Sequence, residues 1–166
     1  MTRRVPAPTF WDTKARPLAL TSTHGSIADW RDGLAFESLG LAYRDSGGIA
    51  RADDIGRMLA DHGPGTFISM ARLLDDKVIF AFRWNASLWI PMFQFDLSDL
   101  SLRVEPGRIR AELGETFDGW ALAAWFVEPN EGLAGRRPID VQDSAIDAVL
   151  HAARVDSVTA PALARM

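Results

Sequence analysis

From Gly119 to Val127 the chain reads Gly-Trp-Ala-Leu-Ala-Ala-Trp-Phe-Val, without a single charge. Asp118 stands before it as a natural N-cap, and Pro129-Asn130 stops it, since proline cannot donate to a helix ladder. Trp120, Leu122, Trp125, Phe126 and Val127 leave this helix apolar almost all round. Such a helix is buried among other elements or across a subunit interface. The rest of the fold must therefore wrap it. With 166 residues, 48% of them apolar, the chain is long enough to do so as one medium domain, or as one domain with an ordered arm. There is no cysteine, which excludes disulfide scaffolds, thiolate metal sites and a cysteine nucleophile.

The remaining elements read as mainly α with a small β-hairpin. Residues 1–25 carry Pro6, Pro8, Pro17 and a Thr-Ser-Thr-His-Gly run, an arm without a helix of its own, with Phe10 and Trp11 as anchors. Ser26 is placed to cap a helix whose buried stripe is Ile27, Trp30, Leu34 and Leu41. Gly47-Gly48 ends that segment. Arg51 to His62 is a short amphipathic helix facing inward with Ile55, Met58 and Leu59. Gly63-Pro64-Gly65 breaks it, and Thr66 caps a second helix through Leu74. Two short helices across a tight turn have the outline of a degenerate helix-turn-helix. Val78 to Phe82 alternates as a strand, Asn85-Ala86 turns, and Leu88 to Phe95 returns, with Pro91 favouring an edge position. Pro106 starts a helix to Leu113 or Gly114. A last helix is capped by Asp143 or by Ser144 in a capping box with Asp147, and buries Ile146, Val149, Leu150 and Ala153. The implied organisation is an arm and helix over 1–50, a helix-turn-helix-like region with hairpin over 51–104, a helical domain over 105–156 and a loose tail over 157–166.

Chemistry-bearing patterns are sparse. His24, His62 and His151 have no metal-ligand spacing, and the acid pairs Asp53-Asp54 and Asp75-Asp76 point about 100° apart on a helix. There is no nucleophile elbow, P-loop or dinucleotide fingerprint. The expectation is a non-enzyme without cofactor or metal. A net charge of -4 and pI near 5.3 argue against broad nucleic-acid binding. No apolar run approaches the roughly 20 residues of a membrane helix, and Arg3-Arg4 is not followed by a signal-peptide core, so a cytoplasmic location is expected.

The most specific stretch is Trp125 to Asp140, WFVEPNEGLAGRRPID. Physically it is a helix stop, a compact loop and a restart. Asn130 suits an Asx-turn, Gly132 and Gly135 permit positive φ, Leu133 is an apolar plug, Arg136-Arg137 offers a fork for carboxylates, and Pro138 restarts the chain. This pattern, with Phe93-Gln94-Phe95-Asp96 and Phe117-Asp118-Gly119-Trp120-Ala121 upstream, resembles the C-terminal toxin-binding domain of the Xre/MbcA/ParS class of antitoxins, over about residues 66–156. The resemblance implies a mostly helical, often dimeric protein. It implies a cognate toxin, commonly a RES-domain enzyme that consumes NAD, whose cleft the antitoxin covers. Candidate partner-binding residues are then Pro129, Asn130, Leu133, Gly135, Arg136, Arg137, Pro138 and Asp140. A DNA-binding regulator with the same module and no toxin is the alternative. Against it, Asp75-Asp76-Lys77 leads straight into an apolar segment where a groove-reading helix needs polar and basic side chains.

Overall fold

The computed structural model describes residues 27–61 and 69–163, with side chains described for 32–61 and 69–159. The arm, the Ser26 and Thr66 caps, His62 and the Gly63-Pro64-Gly65 break lie outside them, as do the side chains of Ile27 and Trp30. The described chain is mainly helical around one small sheet: α1 (Ile27–Ala42), β1 (Ile49–Arg51), α2 (Ala52–Asp61), α3 (Met70–Asp75), β2 (Phe82–Trp84), β3 (Ser87–Pro91), α4 (Val104–Leu113), α5 (Gly119–Val127), α6 (Pro138–Val141) and α7 (Ile146–Leu163). Among these residues no helix is long and apolar enough to cross a membrane.

The strands pair antiparallel in the order β1-β3-β2. Asn85 and Ala86, at φ 46° and 57°, form the two-residue hairpin turn, the φ pattern of a type I′ turn. Period two then divides the sheet. Ile49, Phe82, Trp84 and Trp89 share one face and join the main core, while Ala50, Leu88 and Ile90 share the other and join a second cluster with Ile55, Leu73 and Ile79. The main core draws on residues from Leu39 to Ala153, so the helical segment after residue 104 shares its interior with α1 and the hairpin.

The apolar helix is α5, buried through Leu122, Ala123, Trp125, Phe126 and Val127 within the chain itself. Asp118 caps it, accepting from the Ala121 amide at 2.8 Å. Gly119 is required by clearance: a Cβ there would sit 2.0 Å from the Ala81 carbonyl oxygen. Trp120 meets Phe82 edge-on at 5.1 Å, and Phe126 stacks on Phe80 at 5.5 Å.

Several expectations are corrected. The inward face of α1 is Phe36 and Leu39, continued by Tyr43 just past its end, whereas Leu34 and Leu41 are 61% and 65% exposed. The cap of α3 is Ser69, whose hydroxyl accepts from the Arg72 amide. Residues 78–81 are not a strand. Ile79 and Phe80 are both buried, and the Gln94 carboxamide replaces a ladder neighbour: its oxygen accepts from the Phe80 amide at 2.8 Å and its nitrogen donates to the Phe80 carbonyl at 3.0 Å. The hairpin is shorter than Lys77 to Phe95, and β3 is the central strand. Pro91 is tolerated there because β2 stops opposite Trp89, leaving only β1 alongside. Neither Asp143 nor Ser144 caps α7. Asp143 pairs with Arg103, and the Ser144 hydroxyl donates to the Val141 carbonyl at 3.4 Å. Residues 157–163 continue α7 instead of forming a loose tail. Pro161 deprives the Ser157 carbonyl of its helical donor, and the Thr116 hydroxyl supplies one at 3.4 Å.

Candidate partner-binding site

The Pro129–Asp140 segment folds as a small crown on the end of α5. The α5 ladder closes at Glu128, whose amide donates to Ala124. The Asn130 side chain then accepts from the Gly132 amide at 2.9 Å, the expected Asx-turn. Glu131–Leu133 makes one 3₁₀ turn. The chain reverses through Ala134 and Gly135 at φ 56° and 76°, so the left-handed residues are these two and not Gly132. The backbone closes on itself, the Asn130 amide donating to the Arg136 carbonyl at 3.1 Å and the Gly135 amide to the Asn130 carbonyl at 2.9 Å. Pro138 opens α6 at its first turn, where no amide is needed.

Two ties fix the crown to the core. Leu133 is 2% exposed and belongs to the main cluster. Asp156, on α7, receives two donors on one carboxylate oxygen, Trp125 Nε1 and Asn130 Nδ2, each at 2.7 Å. Asp156 went unnoticed in the sequence. It is 26 residues beyond Asn130, inside a helix whose one other acid, Asp147, is exposed, and nothing local marks it.

The candidate residues therefore separate. Leu133 and Pro138 are buried and serve the fold rather than offering contact surface. Asn130 is half-buried and spent on the turn and on Asp156. Arg137 and Asp140 form a two-pronged pair, Nε to Oδ2 at 2.6 Å and a terminal nitrogen to Oδ1 at 2.7 Å; Arg137 also reaches the Ala42 carbonyl at 3.4 Å. The Asp140 carboxylate pushes the Arg137 guanidinium still further up from its usual range. The expected free fork of two arginines is thus reduced to Arg136. Its Nε donates to the Leu133 carbonyl at 3.3 Å, and the residue is otherwise exposed, as are Pro129 and Gly135.

Beside the crown runs a groove of about 540 Å³ between the end of α1, the Phe93–Leu97 stretch and α6. Its walls carry the Arg137–Asp140 and Arg103–Asp143 ion pairs, with Asp45 and Asp96 nearby. The Ser98 hydroxyl and amide, both donating to Asp96, hold that carboxyl below its usual range. Gln142 also lines the groove. It is 1% exposed, and its carboxamide oxygen has no hydrogen-bond partner. Among the described residues no group of three or more His, Asp or Glu side chains is arranged to hold a metal. Before the hairpin, α3 has six described residues, about 9 Å, ending in the exposed Asp75 and followed by the exposed Asp76.

No family model, curated protein or solved structure matches this chain.

Proposed function

We propose that the chain is an antitoxin-like cytoplasmic protein that binds a partner toxin, of the RES type that consumes NAD, and neutralises it by covering its cleft. No residue of this chain does chemistry in that role. The observation that supports the reading is the crown itself. It projects Pro129, Gly135 and Arg136 on a backbone closed by its own hydrogen bonds and tied down at Leu133 and Asp156. A surface held in one conformation before binding loses little freedom on association, which is what a tight inhibitor needs. Arg136 supplies a charged anchor of the kind enriched among interface hot spots. The charged groove beside it gives the partner a polar flank.

The reading is tested by co-expressing the chain with the product of the adjacent reading frame. A stable complex, with relief of growth arrest and restored NAD, is expected. A toxic neighbour that neither binds the chain nor is relieved by it overturns the proposal. Promoter DNA in the same system should bind only weakly and with strong salt dependence. Tight, sequence-specific binding at physiological salt favours the regulator instead.

A further inference from the structure

The groove beside the crown is lined by more than its two ion pairs. Phe93, Phe95 and Ile139 give it buried apolar walls. Among them lies Gln142, at the C-terminal end of α6, 1% exposed and with a carboxamide oxygen that no donor meets. Buried acceptors in folded proteins are nearly always satisfied, so this one calls for a donor from inside the groove. Four carboxylates also reach the groove, Asp45, Asp96, Asp140 and Asp143, against the two guanidiniums of Arg103 and Arg137. Both arginines are already committed, Arg137 to Asp140 and Arg103 to Asp143. Asp45 and Asp96 are exposed and have no ion pair among the described residues, and Ser98 occupies only one oxygen of Asp96. The groove therefore offers a buried free acceptor below and an uncompensated negative charge above.

We propose that this groove binds a guanidinium group carried on an aliphatic stem, with Gln142 Oε1 and the carboxylates of Asp45 and Asp96 as its acceptors. Other ligand classes fit less well. The acids do not gather around a metal ion, since among the described residues no three of them are so arranged. The volume of about 540 Å³ is that of a site for a small organic group. An anion meets two unpaired carboxylates, and the arginines that would hold it are spent. An ammonium answers the charge, but it is a compact and strongly hydrated point charge, poorly suited to an apolar-walled groove. A guanidinium is planar and more weakly hydrated, and its five N–H donors reach several acceptors at once. Its methylene stem lies against walls such as Phe93 and Ile139, as long cationic side chains do on apolar surface. A free small molecule and an arginine of another polypeptide present the same group. The site belongs to this chain alone and does not depend on the toxin reading.

The full chain, labelled with nitrogen-15, is titrated at low salt with agmatine, a guanidinium on a short stem. The side-chain amide signal of Gln142, assigned by its loss in Gln142→Leu, should shift saturably within millimolar ligand. Putrescine has the same stem with an ammonium in place of the guanidinium and should bind at least about tenfold more weakly. Calorimetry reads the variants. Gln142→Leu should weaken agmatine roughly tenfold to a hundredfold without lowering the melting temperature, because it removes a buried acceptor that has no partner. Asp45→Asn, at an exposed position, should weaken it about twofold to fivefold with unchanged unfolding. Equal binding of N-acetylarginine methylamide assigns the group to an arginine of a polypeptide; its rejection beside bound agmatine assigns it to a free small molecule, and either result supports the site. No saturable shift at Gln142, the result if water alone serves its oxygen, overturns the proposal. So do putrescine binding as tightly as agmatine, inorganic phosphate binding in its place, or affinity indifferent to both variants.

Discussion

The crown owes its position to one carboxylate, and removing it gives a number. In Asp156→Ala, the Trp125 indole N–H and the Asn130 amide both lose an acceptor now 2.7 Å away. A hydrogen bond to a charged group contributes roughly 1.5–3 kcal/mol, and an abandoned buried donor costs its desolvation as well. Trp125 is 7% exposed, so water replaces little there, whereas half-buried Asn130 finds water more readily. Counting the first bond in full and the second at about half gives roughly 2–4 kcal/mol. For a chain of this size that is a fall of about 4–16 °C in melting temperature. Asp156→Asn keeps an acceptor but not the charge and should lose about half as much. Urea unfolding followed by tryptophan emission measures the stability, and amide exchange at Gly132 reports whether the Asx-turn loosens. A loss under about 0.5 kcal/mol with unchanged exchange at Gly132 would refute the claim that Asp156 anchors the loop.

Gly119→Ala should destabilise by at least about 1–3 kcal/mol despite alanine's better helix propensity, because the new Cβ meets a backbone carbonyl at 2.0 Å and α5 must shift as a body; a neutral or stabilising result in chemical denaturation contradicts the packing. Leu133→Ala should cost roughly 2–5 kcal/mol by the same measurement, as a buried plug in the main core and not a contact residue. Tyr43 is the only tyrosine in the chain and is fully buried, and burial pushes its phenol well above 10.0. Folded protein therefore keeps this proton where unfolded chain has released it. The contribution of this phenol to stability should be constant below pH 10 and fall by about 1.4 kcal/mol per pH unit above it, until the folded phenol itself ionises. Tyrosinate absorbance appearing only with unfolding checks this, and Tyr43→Phe should remove the alkaline slope.

The sequence is most legible where local chemistry and tertiary need coincide. Asp118 reads as a cap and caps; Asn130 reads as an Asx-turn and makes one; α5 reads as central because nothing in it tolerates water. On α1, period alone misleads, because both faces carry apolar residues. Leu34 and Leu41 compete with Phe36, Leu39 and Tyr43, and only the aromatic neighbours decide: Trp84 stacks on Phe36 at 3.8 Å and Phe93 on Tyr43 at 5.6 Å. β1 is three residues long and leaves no periodic trace. The false strand at 78–81 fails for the opposite reason. Its alternation is real, but its backbone is satisfied by Gln94, a partner 14 residues from Phe80 that no local pattern reveals. In the crown, the loop geometry is legible while the loyalties of its charges are not. Arg137 looks as free as Arg136, and only the three-residue spacing in α6 commits it to Asp140.

The proposal that the crown neutralises a toxin is tested most directly by titrating this chain into the purified product of the adjacent reading frame and following NAD consumption. Wild type should extinguish the activity stoichiometrically. Arg136→Ala should fold normally and bind more weakly by roughly 1–4 kcal/mol, because Arg136 is exposed apart from its bond to the Leu133 carbonyl. Undiminished NAD consumption at saturating wild-type chain would contradict the account, and equal inhibition by Arg136→Ala would remove the crown from it.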